Sequence, residues 1–175
     1  ARSAIMRPEQ DFSARRLTFR RAGHWLLMAL PSRRLLVYPW PRLRNVRQGS
    51  VYGGDQCKKC QGAGCERCDG AGYTNVREVI QVRRFHHNGK GYWETTTAGR
   101  LVENATQAIA RDVLAHGLIR AEDAGLRPVL TVHDEIVCEQ GGEPELSRIL
   151  ATPPGWCSDM PLAAEGYEAE RFRKD

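Results

Sequence analysis

Apolar positions along this chain change their spacing, and each change marks a different kind of element. Arg15 to Ala22, Trp25 to Leu30 and Arg34 to Tyr38 are short stretches of aliphatic and aromatic content, separated by Ala22-Gly23-His24 and Pro31-Ser32-Arg33. Short β-prone runs between turn residues predict an antiparallel meander. Tyr38-Pro39-Trp40-Pro41 stops regular pairing, because proline has no N–H to donate to a ladder. Val76 to Phe85 alternates apolar and polar side chains with one slip and is expected to resume the sheet. From Ala98 the period lengthens: Leu101, Val102, Ala105, Ala108, Ile109, Val113, Leu114 and Leu118 recur at three- and four-residue steps. That is the strongest helix signal in the chain, with Gly125 as its stop. Val129 to Val132 and Ile136 to Cys138 are β-rich runs flanking His133-Asp134-Glu135, which predicts a tight hairpin with those three side chains at its tip. Glu143 to Leu150 is a short helix candidate, and Leu162 to Glu168 a final strand candidate.

These elements add up to an α+β class: an antiparallel sheet with a long packing helix. The 175 residues, 41% of them hydrophobic, can bury one good core with a small appendage beside it. No run of roughly eighteen apolar residues is present, and the amino terminus lacks a charged-then-apolar leader pattern. A soluble, intracellular protein with no membrane partner is expected.

The appendage falls where glycine is densest. Gly53, Gly54, Gly62, Gly64, Gly70 and Gly72 punctuate a segment in which Cys57-Lys-Lys-Cys-Gln-Gly-Ala-Gly is followed at once by Cys65-Glu-Arg-Cys-Asp-Gly-Ala-Gly. Four of the six cysteines thus lie within twelve residues, so metal binding in a reducing compartment is a better reading than a disulfide scaffold. Two Cys-x-x-Cys pairs offer four thiolates from two tight turns, which suits tetrahedral zinc. Cys57, Cys60, Cys65 and Cys68 are the candidate ligands of a structural zinc ion; an iron–sulfur centre, a redox dithiol or free cysteines are the alternatives. The repeated unit also resembles the cysteine-rich region of J-domain cochaperones, a likeness of sixteen residues that implies a shared zinc-knuckle solution. Cys138 and Cys157 fit no ligand spacing and read as buried packing.

Charge divides the chain. Residues 1–50 hold eleven arginines against Glu9 and Asp11, a balance of +9; residues 51–100 hold eight basic and five acidic groups, +3; residues 101–175 hold seven basic and fourteen acidic groups, −7. An arginine-rich front suits phosphate contacts and an acidic rear suits cations, the plain alternative being a solvated surface.

Asp134 and Glu135 are adjacent acids between two apolar strands. At a rigid tip they call for something positive nearby, or else they are a polar turn with solvated acids. Their context is more specific. Leu130-Thr131-Val132-His133-Asp134-Glu135-Ile136-Val137 resembles motif C of family A DNA polymerases. Gly99 to Asp112, with Arg100-Leu101-Val102-Glu103-Asn104, Gln107 and Ala110-Arg111-Asp112, resembles the phage-type helix before that motif. Pro161-Leu162-Ala163-Ala164-Glu165-Gly166-Tyr167, then Arg171 and Lys174, resembles the terminal strand. Leu30-Pro31-Ser32-Arg33-Arg34-Leu35 with Tyr38-Pro39 resembles the hairpin after the fingers. The resemblance covers nearly the whole chain apart from residues about 50 to 75, which read as an insertion.

The resemblance implies a carboxy-terminal palm segment: hairpins over 1–50, a zinc-knuckle insertion over 51–75, and the long helix, motif C hairpin and terminal strand over 76–175. It implies that Asp134 binds catalytic magnesium, that Glu135 is the neighbouring acid, and that His133 lies near the primer's 3′ end. Gln107 corresponds to the helix residue that contacts duplex DNA. Asn104 and Arg100 on the same helix, and Arg33 and Arg34 in the hairpin, are the other candidates for nucleic-acid contact. In family A helices the asparagine commonly stands four positions before that glutamine, where this chain has Glu103. DNA primer-template and dNTP are the implied partners, and the cytoplasm of a phage-infected or prophage-bearing bacterium the implied setting.

Two parts of such a polymerase are not found. Asp11-Phe12-Ser13 mimics the opening of motif A, but Arg15-Arg16-Leu17 stands where a glutamate and arginine should follow. No motif B lysine and tyrosine are recognisable. A partner segment or chain supplying both is therefore expected, the chain being one piece of a split polymerase or a fragment of a longer one. A polymerase-derived, non-catalytic zinc module binding nucleic acid is the alternative.

Overall fold

The computed structural model describes residues 1–47, 61, 63, 66 and 76–172. It divides into two compact units, Ala1–Ala29 with Leu35–Val102, and Leu30–Arg34 with Glu103–Asp175. The class is α+β, with antiparallel sheets and one long helix.

The first unit opens with a short helix, α1 (Arg2–Met6), and then the predicted meander: β1 (Asp11–Ala14), β2 (Leu17–Ala22), β3 (Trp25–Ala29) and β4 (Leu35–Pro39), each antiparallel to the next. Alternation fixes its buried face, since Phe19, Leu26, Met28 and Tyr38 are all buried. The turns are two residues long at Arg15-Arg16 and Gly23-His24, with positive φ (+55° and +52°) at the first position of each. That is the pattern of a primed hairpin turn, whose twist matches the flanking strands.

Pairing does not resume in the same sheet. Trp40 adopts φ +43° and Pro41 has no N–H, so the chain leaves β4 and starts a second, three-stranded sheet: β5 (Arg42–Arg47), β6 (Val76–Phe85) and β7 (Gly91–Thr96). Val76 to Phe85 is thus a strand, as its alternation requires, but its partners are β5 and β7, which their charge and polarity conceal.

Thr97 starts the long helix α2 (Ala98–Asp123). Its hydroxyl accepts from the N–H of Arg100 at 3.3 Å and its carbonyl from the N–H of Leu101 at 3.0 Å, the arrangement of an N-cap. The residues of α2 up to Val102 count with the first unit and the rest with the second. At the far end the N–H of Leu126 bonds the carbonyl of Ala121, and that of Gly125 (φ +79°) the carbonyl of Glu122. Those two bonds define a Schellman cap, and Ala121 and Leu126 bury together beneath it.

The second unit continues with the hairpin β8 (Pro128–Val132) and β9 (Glu135–Cys138), the helix α3 (Glu143–Leu150) and a single turn of 3-10 helix at Gly155–Cys157. Its core gathers Ala121, Leu126 and Ile149, with Cys138 and Leu146 packed against them. A Cβ on Gly117 would come within 2.6 Å of a Leu150 methyl, so α2 meets α3 where it has no side chain. Leu162 to Glu168 is not a strand. Leu162 and Ala164 are half-buried and alternate with exposed neighbours, but no ladder partner takes up this stretch. Glu168 instead accepts a hydrogen bond from the N–H of Glu143 at the start of α3 (3.1 Å). Among the described residues the antiparallel strands form three separate sheets, of four, three and two strands, in place of the one continuous sheet expected. The cysteine-rich insertion lies outside the described residues.

Candidate functional site

The sequence dictates the hairpin tip locally. Val132 pairs with Glu135, so His133 and Asp134 are the two turn residues and Glu135 is the first residue of β9. His133 takes φ +54° and Asp134 does not share the positive sign, which is the pattern of a type II′ turn, usually opened by glycine. Beyond the tip the two-stranded ladder is anchored by Ile136, which is buried, and extended by hydrogen bonds from Glu139 to Arg127 and from Gln140 to Leu126 (3.1 Å each). Pro128 lacks a donor, and the register slips beside it, leaving Val129 unpaired and 55% exposed.

All three predicted tip residues are exposed. Among the described residues neither Asp134 nor Glu135 has an ion-pair partner, so the expected positive neighbour is absent there. Water supplies the solvation that a buried pair would lack. Two adjacent carboxylates on a short turn are hard oxygen donors of the kind magnesium prefers. They make an incomplete set, because no group of three or more His, Cys, Asp or Glu is placed to hold a metal ion among the described residues.

The helix candidates already have internal partners. Gln107 donates to Glu103 at 3.4 Å, one turn back and at the limit of a hydrogen bond. The guanidinium of Arg100 contacts Glu94 at 3.1 Å and the Thr95 carbonyl at 3.3 Å. Asn104 is half-buried.

The two arginines of the Leu30–Arg34 turn differ. Arg33 is exposed with φ +69°. Arg34 forms an ion pair with Asp112 at 2.6 Å and donates to the Ala108 carbonyl at 2.6 Å, while Ser32 donates to the other oxygen of Asp112. Asp112 is only 14% exposed, so Arg34 holds the turn to α2 within the second unit. Sequence pattern gave Arg34 a phosphate role and missed this structural one; Ser32 and Arg34 around a helical aspartate are visible only in three dimensions.

Cys57, Cys60, Cys65 and Cys68 lie outside the described residues. Neither Cys138 nor Cys157 is in a disulfide among the described residues. Burial, with Glu122 nearby, pushes the Cys138 thiol above its usual range, the opposite of the shift that activates a thiolate. Cys157 is buried, as packing predicts.

One constellation escaped the sequence altogether. Trp25, Trp40 and Phe85, which the linear pattern assigned to strands or a break, and Trp93, which it left unassigned, are brought together in the first unit with Arg42 and Arg83.

Comparison with known proteins adds one independent finding. The chain is 37% identical over 103 residues to a DNA polymerase of Bacillus phage SP02, a match that spans 57% of this chain and 16% of that protein. It is similar, then, to a segment of a phage DNA polymerase. No family model matches it, and no solved structure does. No helix among the described residues is long and apolar enough to cross a membrane.

Proposed function

We propose that this chain is the carboxy-terminal palm segment of a family A, template-directed DNA polymerase, which extends a primer 3′-OH with dNTPs and takes motif A and the fingers from another segment or chain. The observation that carries the reading is the exposed Asp134-Glu135 pair at the hairpin tip, without an ion-pair partner among the described residues, in a chain similar to part of a phage DNA polymerase. In this reading Asp134 is the magnesium ligand, Glu135 the second acid, and His133 lies beside the primer terminus. When bound, magnesium lowers the pKa of the attacking hydroxyl and neutralises phosphate charge. Gln107, Asn104 and Arg100 face the duplex, and Arg33 the backbone. Arg34 acts through the turn that it ties to Asp112. Cys57, Cys60, Cys65 and Cys68 hold a structural zinc ion.

Mixing the chain with a fragment that carries motif A and fingers tests the reading. Primer extension is expected to appear only in the mixture and to fall by at least about a hundredfold with Asp134→Ala, circular dichroism remaining unchanged. A mixture that never extends a primer, or an Asp134→Ala mixture as active as wild type, overturns it. The incomplete carboxylate set favours one second reading, a polymerase-derived zinc module that only binds nucleic acid. There, affinity depends on the arginines and cysteines while Asp134 is dispensable.

A further inference from the structure

The first unit carries a run of rings and guanidinium groups that the hairpin site does not use. Trp25 and Trp40 have centroids 5.7 Å apart, Trp40 meets Phe85 edge-on at 6.0 Å, and Arg83 lies 6.0 Å from Phe85. Arg83 is in turn 5.3 Å from Trp93, and Arg42 stacks over Trp93 at 3.5 Å. The β-sheet register explains the second half of the run. Arg42 pairs with Gln81 and Arg83 with Trp93, so Arg42, Arg83, Phe85 and Trp93 share one face of the β5–β6–β7 sheet.

Several of these rings face solvent: Trp25 is 44% exposed, Trp40 41% and Phe85 56%. A protein gains nothing in stability from exposing three aromatic rings side by side, so a contiguous exposed group marks a binding surface. The charge beside them selects the occupant. Arg42 donates to the neutral amide oxygen of Gln81 (3.0 and 2.8 Å), and among the described residues no carboxylate pairs with Arg42, Arg44 or Arg83. Glu94 of β7 belongs to the opposite face and is taken by Arg84 and Arg100. The unit as a whole holds seventeen basic and seven acidic residues, +10. An apolar protein partner would not need uncompensated cations, and a duplex offers its stacked bases no access to flat rings. A single strand offers both phosphates and open base faces.

We infer that Trp25, Trp40 and Phe85, flanked by Arg83 and Arg42, form a stacking surface for unpaired nucleotides of a single-stranded nucleic acid. The inference stands on the first unit alone and does not depend on the hairpin carboxylates.

The probe is a fluorescein-labelled oligothymidylate of about twelve nucleotides, followed by anisotropy and tryptophan quenching with the whole chain, beside a duplex of equal length. Tighter binding of the single strand is expected. Trp40→Ala and Phe85→Ala should each weaken it at least about fivefold, and Arg83→Gln should reduce the salt slope by about 0.7. Phe85→Leu guards against misfolding: it keeps an apolar group but loses the ring, and should weaken binding while Phe85→Tyr restores it. Glu145→Gln on α3 of the second unit, which takes no part in the proposed site, should bind the oligonucleotide as wild type does, which separates this surface from any failure of polymerase assembly. Trp40→Ala, Phe85→Ala or Phe85→Leu binding like wild type, or a duplex bound equally well, overturns the inference. So does a self-associated species that Trp40→Ala dissociates with oligonucleotide affinity unchanged, since the rings would then cover a second copy.

Discussion

His133 and Gly23 occupy the same position in equivalent two-residue turns, with φ +54° and +52°, yet one carries a side chain and the other does not. The left-handed conformation costs a residue with a Cβ about 1–2 kcal/mol, somewhat less for histidine, which visits it more often than most. Glycine escapes that cost but loses about 0.5–1 kcal/mol more than alanine in backbone entropy on folding. At an ordinary exposed position the glycine variant is therefore the less stable of the two. At His133 the order should reverse, with His133→Gly more stable than His133→Ala by about 0.5–1 kcal/mol, or about 1–4 °C in Tm for a chain of this size. Gly23→Ala serves as the reference: no heavy atom lies within 4 Å of the added Cβ, so only the backbone term acts, and the loss should be about 1 kcal/mol. Urea titration of all three variants, with the unfolding slope held constant, reads the differences. The turn assignment is wrong if His133→Ala is as stable as His133→Gly. Coupling the same variants to primer extension with the complementing fragment then isolates the imidazole. A glycine variant that is better folded than the alanine variant but equally slow shows that the ring acts in the reaction, whereas full activity in both leaves it a turn residue.

Asp112→Ala should destabilise the second unit by about 2 kcal/mol, because it leaves the Arg34 guanidinium and Ser32 hydroxyl without their shared acceptor; a urea midpoint equal to wild type sinks the assignment. The Cys138 thiol, raised in the folded state by burial and by Glu122, favours folding in full below the unfolded thiol value of about 8.5, and that contribution disappears as pH climbs through the folded value. Stability of wild type should thus fall more steeply than that of Cys138→Ser from about pH 8.5 upward, and parallel curves would contradict the raised value. Metal analysis of the purified chain should return about one zinc per molecule, reduced by Cys57→Ser with Cys60→Ser; a zinc-free protein of unchanged stability removes the zinc reading.

The elements legible in the sequence were those whose pattern has one cause. α2 shows its period because Leu101, Ala105 and Ala108 all bury on one stripe, and Gly125 marks its end because the Schellman cap needs a left-handed residue there. The meander, β6, the β8–β9 hairpin and α3 were equally readable. β5 and β7 were not: Arg42 and Arg44 alternate with Leu43 and Asn45, and an arginine stem lying on Trp93 does in the sheet what an aliphatic side chain does elsewhere. Leu162 to Glu168 failed in the other direction: of these residues only Tyr167 is of a β-favouring type, and Ala163, Ala164, Glu165, Gly166 and Glu168 are types depleted in strands. The candidate site divides in the same way. A contiguous tripeptide between apolar runs could be placed at a hairpin tip from sequence, whereas the ion pair of Arg34 and the ring series from Trp25 to Trp93 join residues tens of positions apart. No local spacing reports on such contacts.

Exposure of the tip carboxylates bears on when a metal ion would join them. A buried acid pair at this turn would need a counter-charge merely to fold, and the ion would then be part of the structure. Asp134 and Glu135 are solvated, and the hairpin rests instead on its own ladder and the buried Ile136. Folding of the second unit therefore makes no demand for magnesium. By the same token the tip holds the ion poorly by itself, because magnesium surrenders its water reluctantly and takes one or two carboxylates together with substrate phosphates. On the proposed function, a hairpin that is formed but only half equipped is what an assembled active site requires. One carboxylate waits in position, and the remaining oxygens arrive with the nucleotide and the missing aspartate.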